Sequence, residues 1–180
     1  MQDTNLLLTY LVTLLVLLSI AALLVIRQVF KTRRVEGTLN RLQAKLSKEP
    51  GTAQEHYELG SLMLDKKLYS QAIVQLKQAL KLLDPEESEV AALVYNALGF
   101  AYFAQEQYDM AIRQYKSALE IAPEYVTALN NIGHSYERKQ LIAQSLEAYE
   151  KVLTLEPENK TAKRRAESLR KRLAPAGQDA

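Results

Sequence analysis

The hydrophobic positions of this 180-residue chain follow two different patterns. Residues 4–26 form 23 consecutive residues without a charge, mostly Leu, Val, Ile, Ala and Thr. From about residue 53, apolar positions recur every three or four residues between polar ones, which is the spacing of amphipathic helices. The pattern predicts one uniformly apolar helix, followed by a set of shorter helices that each bury one face.

The amphipathic part repeats itself at a fixed distance. Gly99 and Gly133 are 34 residues apart, whereas Gly60 precedes Gly99 by 39, an insertion of five. The best copy has Tyr95, Leu98, Gly99, Tyr102, Ala111, Tyr115, Ala118 and Pro123. The next has Leu129, Ile132, Gly133, Tyr136, Ser145, Tyr149, Val152 and Pro157. The first and loosest copy has His56, Leu59, Gly60, Met63, Ala72, Leu76, Ala79 and Pro85.

This register is that of the tetratricopeptide repeat, in which small residues let two antiparallel helices cross closely and larger ones fill the space between. It predicts three helix pairs, at 53–86, 92–125 and 126–159. Each Pro-Glu that ends a copy is interpreted as the first turn of the next helix, where proline and acidic residues are favoured. The predicted fold is all-α, with three repeats in a right-handed superhelix.

The flanking segments complete this architecture. Val35, Leu39, Leu42 and Leu46 predict an amphipathic linker helix in residues 35–51, for which packing on the first repeat and partner binding are both open. A helix over 160–173 carries the apolar stripe Ala162, Ala166, Leu169 and Leu173, so it is predicted to cap the open end of the repeats. Residues 174–180 are predicted to be disordered.

The uncharged segment is predicted to be a transmembrane anchor that is not cleaved. Its length as a helix, about 35 Å, exceeds the roughly 30 Å hydrocarbon core of a bilayer. A signal peptide is the alternative, with Ser19–Ala21 as a cleavage site, but Asp3 stands where such a peptide is basic. Within the anchor region, residues 1–34, the basic Arg27, Lys31, Arg33 and Arg34 follow the span, and no basic residue precedes it. We therefore expect the repeats on the cytoplasmic side, or its organellar equivalent.

Charge is unevenly distributed beneath a net +2: residues 1–34 carry +3, residues 35–159 carry −6 and residues 160–180 carry +5. The predicted C-terminal helix carries seven basic residues. Its charged face consists of Lys160, Lys163, Arg164, Arg165, Arg170, Lys171 and Arg172. A solvated capping face, attraction to anionic lipid and attraction to an acidic protein patch are all open. Nucleic acid is not expected as a partner, because no aromatic residue interleaves the cluster.

The sequence offers no catalytic constellation, and we expect neither an enzyme nor a cofactor. Cysteine is absent, only two histidines are present, and no phosphate-binding glycine loop occurs. His134 and Glu137 share a helix face, which could begin a metal site, but two ligands without a second pair favour a hydrogen bond or groove contact. No metal is expected.

The remaining candidate site is the concave face, which in tetratricopeptide proteins is lined by the first helix of each pair. The register assigns this partner-binding groove to Tyr57, Ser61, Asn96, Phe100, Phe103, Asn130, His134 and Glu137. Phe100 and Phe103 occupy no packing position, and exposed aromatic residues favour protein contacts. Asn96 and Asn130 could bind a peptide backbone. Alternatively, these side chains pack against the linker or terminal helix. Residues such as Thr127 and Asn131 stand where a clamp for a chaperone carboxylate would need positive charge.

The order of parts resembles that of membrane-anchored tetratricopeptide proteins that assist photosystem I assembly in cyanobacteria and algal plastids. The resemblance rests on the N-terminal span together with Lys31–Arg34, Tyr57–Ser61, Tyr95–Tyr102, Ala128–Asn131 and Ala162–Arg165. It implies a thylakoid protein whose repeats face the stroma or cytoplasm, and whose partners are photosystem I subunits or assembly factors. An adaptor for another membrane complex, in secretion, division or quality control, is the alternative.

Overall fold

The computed structural model describes residues 2–84 and 88–173, with side chains for all of these except 2–9, 31, 32, 34 and 88. Every regular element in this part of the chain is an α-helix, which confirms the predicted all-α class. The helices are α1 Gln2–Leu46, α2 Ala53–Asp65, α3 Tyr69–Leu82, α4 Ser88–Ala104, α5 Tyr108–Ile121, α6 Val126–Arg138, α7 Ile142–Leu155 and α8 Lys160–Leu173.

Helix α1 forms a unit of its own and is continuous for 45 residues. The segment predicted as a separate linker helix is the C-terminal part of α1, and the helix ends at Leu46, before Pro50. Its most apolar window has a mean hydropathy of 2.5 and, by length and composition, the helix can cross a membrane. Within it, the Thr13 and Ser19 hydroxyls donate to the carbonyls of Tyr10 and Leu15, both at 2.9 Å. These polar groups are therefore satisfied inside the helix.

The second unit contains the three helix pairs α2–α3, α4–α5 and α6–α7. A turn of the same shape joins each pair, with one residue in the left-handed region: Lys67 at φ 60°, Glu106 at φ 59° and Gln140 at φ 60°. Helix α4 has 17 residues, whereas α2 and α6 each have 13. It begins at Ser88 rather than at residue 92, so part of the five-residue insertion lengthens α4.

The repeated glycines lie where two helices cross. A Cβ on Gly99 would be 2.5 Å from Cε1 of Tyr115, and a Cβ on Gly133 would be 3.1 Å from Tyr149. Both tyrosines are 1% exposed, so they fill the space between their helices. Ser145 replaces an alanine of the repeat pattern without leaving a polar group unpaired, because its hydroxyl donates to the Gly133 carbonyl at 2.8 Å.

The two Pro-Glu pairs in the described part of the chain, at residues 123–124 and 157–158, do not begin helices, contrary to the sequence prediction. Pro123 lies in a turn closed by the Tyr125 amide, which donates to the Ala122 carbonyl at 3.1 Å, and α6 begins only at Val126. Pro157 lies in the equivalent turn, after which α8 begins at Lys160. Proline suits the second position of such a turn because its φ is fixed near the required value. The third pair, at residues 85–87, lies outside the described residues.

Helix α8 packs on α7 and buries Ala162, Ala166 and Leu169, as expected of a cap. Leu173, the fourth residue of the predicted stripe, is 48% exposed. The predicted tail at 174–180 lies outside the described residues. Helix α8 starts 34 residues after α6, one repeat length, so it stands where a fourth repeat would place its first helix. Part of its surface therefore extends the face that the first helices line.

Candidate functional site

The candidate groove is formed by α2, α4 and α6, the first helices of the three pairs, which contact one another in that order. All the predicted groove side chains lie on these helices and all are at least partly accessible to solvent. They are Tyr57 and Ser61 on α2, Asn96, Phe100 and Phe103 on α4, and Asn130, His134 and Glu137 on α6. The structure divides most of them among an amide cluster, an aromatic cluster and a basic recess.

The amide cluster joins α4 to α6. The Asn131 amide donates to Oδ1 of Asn96 at 3.0 Å, and the Asn96 amide donates to the Tyr125 hydroxyl at 3.3 Å. Both the nitrogen and the oxygen of the Asn96 amide therefore make a hydrogen bond within the protein. Asn130 donates to the Val126 carbonyl at 3.1 Å, and its buried Oδ1 has no hydrogen-bond partner among the described atoms.

The aromatic cluster includes two tyrosines that the sequence analysis missed. Tyr69 meets the edge of Phe100 at 6.5 Å between ring centroids, and Tyr108 meets Phe103 at 5.4 Å. Phe103 also contacts the His134 ring at 4.7 Å. Tyr69 and Tyr108 are the first residues of α3 and α5, positions that the repeat pattern does not assign to packing. Their common position relative to Gly60 and Gly99 is the signal that could have identified them.

Phe100 is 43% exposed although it lies in a well-packed repeat. Its edge contact with Tyr69 holds one side of the ring and leaves the rest open to solvent. An aromatic ring with few rotamers, held in place and half exposed, is a typical anchor at protein interfaces. Phe103 is more buried and is held between Tyr108 and His134.

The basic recess lies between α6 and α8 and is lined by His134, Glu137, Arg138, Gln140, Arg165 and Arg172. Glu137 accepts a hydrogen bond from Arg165 at 3.3 Å and another from the Tyr149 hydroxyl at 3.2 Å. Arg172 donates to the neutral side-chain oxygen of Gln140 at 2.8 Å. The guanidinium of Arg138 lies over the Tyr108 ring at 5.2 Å. Within the recess, the arginines outnumber the carboxylate by three to one.

The electrostatics of the recess act on His134. Burial lowers the pKa of its imidazole below the usual value, the positive charges of Arg165 and Arg138 lower it further, and Glu137 opposes them. His134 is therefore neutral near neutral pH and adds no charge to the recess.

The structure separates the predicted basic helix into different environments. Arg165 and Arg172 reach the recess, whereas the sequence analysis placed all seven basic residues on one charged face. Arg170 pairs with Glu150 at 2.8 Å and Lys163 with Glu158 at 3.1 Å on the outer surface. Arg164 and Lys171 are exposed. In the anchor flank Arg27 and Arg33 are exposed, whereas the side chains of Lys31 and Arg34 lie outside those described.

His134 and Glu137, which the sequence offered as the start of a metal site, both lie within the described residues 2–84 and 88–173. In these ranges no group of three or more His, Cys, Asp or Glu side chains could hold a metal ion. Glu137, one half of the His134–Glu137 pair, instead makes its contacts with Arg165 and Tyr149. The chemistry that the groove offers is recognition by aromatic, amide and guanidinium groups.

Stacked helix pairs with a groove on the first helices define a tetratricopeptide-repeat interaction protein. Family profiles described as TPR repeat and tetratricopeptide repeat match residues 99–140 and 126–159. The crystal structure of MamA superposes with a TM-score of 0.71 at 23% identity, covering 78% of this chain and 80% of that one. The first TPR of Spaghetti (RPAP3), bound to an HSP90 peptide, superposes with a TM-score of 0.63 over 68% of this chain and 94% of that one, at 23% identity. At these identities the likeness concerns the fold alone.

Sequence comparison identifies the family more closely. The chain is 36% identical to ycf37 of Cyanophora paradoxa, over 78% of this chain and 81% of that protein. It is 34% identical to ycf37 of Guillardia theta, over 77% and 78% respectively. The chloroplastic protein PYG7 of Arabidopsis thaliana is 39% identical over 92% of this chain, which covers only 55% of PYG7. The chain belongs to the family of tetratricopeptide-repeat proteins that contains ycf37 and PYG7.

Proposed function

We propose that this protein is a membrane-tethered, non-catalytic scaffold that assists the assembly or stability of photosystem I through protein contacts in its groove. The observation that carries the proposal is an exposed aromatic groove in a member of the ycf37 and PYG7 family. The assignment to photosystem I rests on the resemblance in the order of segments and motifs given in the sequence analysis. The chloroplastic location in the name of the relative PYG7 is consistent with a photosynthetic membrane.

Membrane tethering is supported by α1. Its apolar side chains between Tyr10 and Phe30 are exposed, and a helix of this length and composition is stable in hydrocarbon. The basic residues Arg27 and Arg33 follow the apolar stretch on the side of the repeats. By the positive-inside rule, we place the repeats on the cytoplasmic or stromal face of a thylakoid membrane.

Affinity purification of the full chain, with α1 intact, tests the proposed partners. A tagged wild-type protein should retain photosystem I subunits or their assembly factors after mild solubilisation. Recovery of a secretion, division or quality-control complex instead would replace the proposal with the adaptor alternative.

The double variant Phe100→Ala with Asn130→Ala tests the groove. It should retain several-fold less partner than the wild type, because it removes the half-exposed ring and an amide without disturbing the buried helix crossings. Helix content should be unchanged by far-ultraviolet circular dichroism. The matched control is Val74→Ala. Val74 is 61% exposed and lies on α3, the second helix of the first pair. Equal retention by all three proteins would place partner binding outside the groove.

A further inference from the structure

We propose that the basic recess binds an acidic segment of the partner protein, with its carboxylates on Arg138 and Arg172 and a neighbouring apolar side chain against Phe103. The inference rests on the proposed function of the groove and specifies the chemistry of the segment that enters it. It is carried by charge complementarity and by the position of two arginines.

Arg138 and Arg172 occupy equivalent places one repeat apart. Arg138 is the last residue of α6. Arg172 follows it by 34 residues and lies on α8, which occupies the position of the first helix of a fourth repeat. Both line the recess and both are exposed to solvent. Two guanidinium groups at successive repeat positions can engage carboxylates at successive places along one extended segment.

Both guanidiniums retain donors for a ligand. Arg138 lies 3.9 Å from a carboxylate oxygen of Glu106, whose side chain is 78% exposed, so this contact is long and solvated. Arg172 donates to the amide oxygen of Gln140, which is neutral. Since a guanidinium has five N–H donors, either arginine can donate to both oxygens of a carboxylate without breaking a buried ion pair.

The third arginine of the recess has a different task. Arg165 pairs with Glu137, whose carboxylate also accepts from Tyr149 and is only 15% exposed in its side chain. This pair neutralises Glu137, so the charge that the recess presents to a ligand comes from Arg138 and Arg172. Because its charge is neutralised by Arg165, Glu137 repels an incoming carboxylate only weakly.

The surroundings favour a short acidic segment over a long polyanion. Residues 35–159 carry a net charge of −6 and residues 160–180 carry +5, so the recess lies between acidic repeats and a basic helix. A polyanion such as nucleic acid would meet repulsion on the side of the repeats, where the net charge is negative. A segment with a few carboxylates beside an apolar residue would match both the arginines and the adjacent Phe103 ring, which contacts His134.

Peptide binding to the full chain in detergent micelles tests the inference. The probe is a capped, fluorescein-labelled peptide Gly-Glu-Asp-Phe-Glu-Asp-Gly, and the control peptide carries Gln and Asn in place of Glu and Asp. Fluorescence anisotropy should show binding of the acidic peptide and little binding of the amide peptide. Equal affinity for the two peptides, or no binding of the acidic one, would overturn the inference.

Matched variants separate the recess from general attraction. Arg138→Gln with Arg172→Gln should weaken binding of the acidic peptide by about tenfold or more. Lys163→Gln with Arg170→Gln removes the same charge from the outer surface and should change affinity less than about twofold. The single Arg138→Gln and Arg172→Gln variants provide the test if the double variant loses helix content. Equal losses in both double variants would overturn the inference.

The inference and the proposed function fail in different ways. If photosystem I subunits co-purify equally with the wild type and with the Arg138/Arg172 double variant, the acidic-segment inference is overturned while the proposed function stands. If the acidic peptide binds as described but a different complex co-purifies, the recess chemistry stands and the photosystem I assignment is overturned.

Discussion

Replacing Gly99 by alanine tests the packing on which the repeats depend. A Cβ at this position would lie 2.5 Å from Cε1, 2.6 Å from Cδ1 and 2.8 Å from Cζ of Tyr115. These atoms belong to a rigid ring that is 1% exposed, so the ring or the helix must move. At Gly133 the same addition would lie 3.1 Å from Cε1 of Tyr149, which needs a shift of only a few tenths of an ångström.

The two substitutions therefore differ in sign or size although their chemistry is identical. Alanine improves helix propensity by about 1 kcal/mol at either site. Overpacking costs about 1–3 kcal/mol, and the contacts at Gly99 correspond to the upper end of that range. We expect Gly99→Ala to lower the free energy of unfolding by about 2 kcal/mol, and Gly133→Ala to change it by less than about 0.5 kcal/mol.

Urea unfolding of the full chain in detergent micelles, followed by circular dichroism at 222 nm, measures this difference. The micelle keeps the contribution of α1 nearly constant, so the transition reports the repeat unit. A second probe, the tyrosine signal in the near ultraviolet, checks that the transition is cooperative. Equal midpoints for the two variants would refute the packing argument, as would a stabilised Gly99→Ala.

Two further predictions follow from particular residues. His134→Gln should make stability less sensitive to acid: because the folded-state pKa of His134 is depressed, the wild type loses stability as pH falls below the ordinary value of about 6.5. Thermal melts at pH 7.5 and 5.5 measure this, and an equal loss in both proteins would contradict it. Lys67→Gly should raise the free energy of unfolding by about 0.5–1 kcal/mol, because Lys67 has a φ of 60° and glycine adopts that conformation without steric cost. A lower urea midpoint for this variant would contradict the argument.

The repeat core could be predicted from sequence because it depends on local register. Gly99 and Tyr115, or Gly133 and Tyr149, face each other at a fixed separation along the chain, so periodicity alone identifies them. The internal contacts of the groove could not be found in this way. The bond between Asn96 and Asn131 joins residues 35 apart, and its geometry depends on how neighbouring repeats stack.

Helix boundaries and charged faces were the other sources of error. Proline is favoured both in the first turn of a helix and in a β-turn, so the sequence around Pro123 does not distinguish the two. Helix α1 continues past the apolar stretch because residues 27–46 contain good helix formers and no proline. The pattern of α8 did not separate Arg165 and Arg172 from the other basic residues, because their partners, Glu137 and Gln140, lie outside this helix.

A deletion strain of the organism that encodes this chain gives the most direct test of the central claim. Photosystem I abundance and trimer content are measured in ordinary growth and under stress, after complementation with the wild type or with Phe100→Ala/Asn130→Ala expressed at the same membrane level. We predict that deletion lowers assembled photosystem I, that the wild type restores it and that the groove variant does not. Normal photosystem I in the deletion strain under both conditions, or full restoration by the groove variant, would contradict the account.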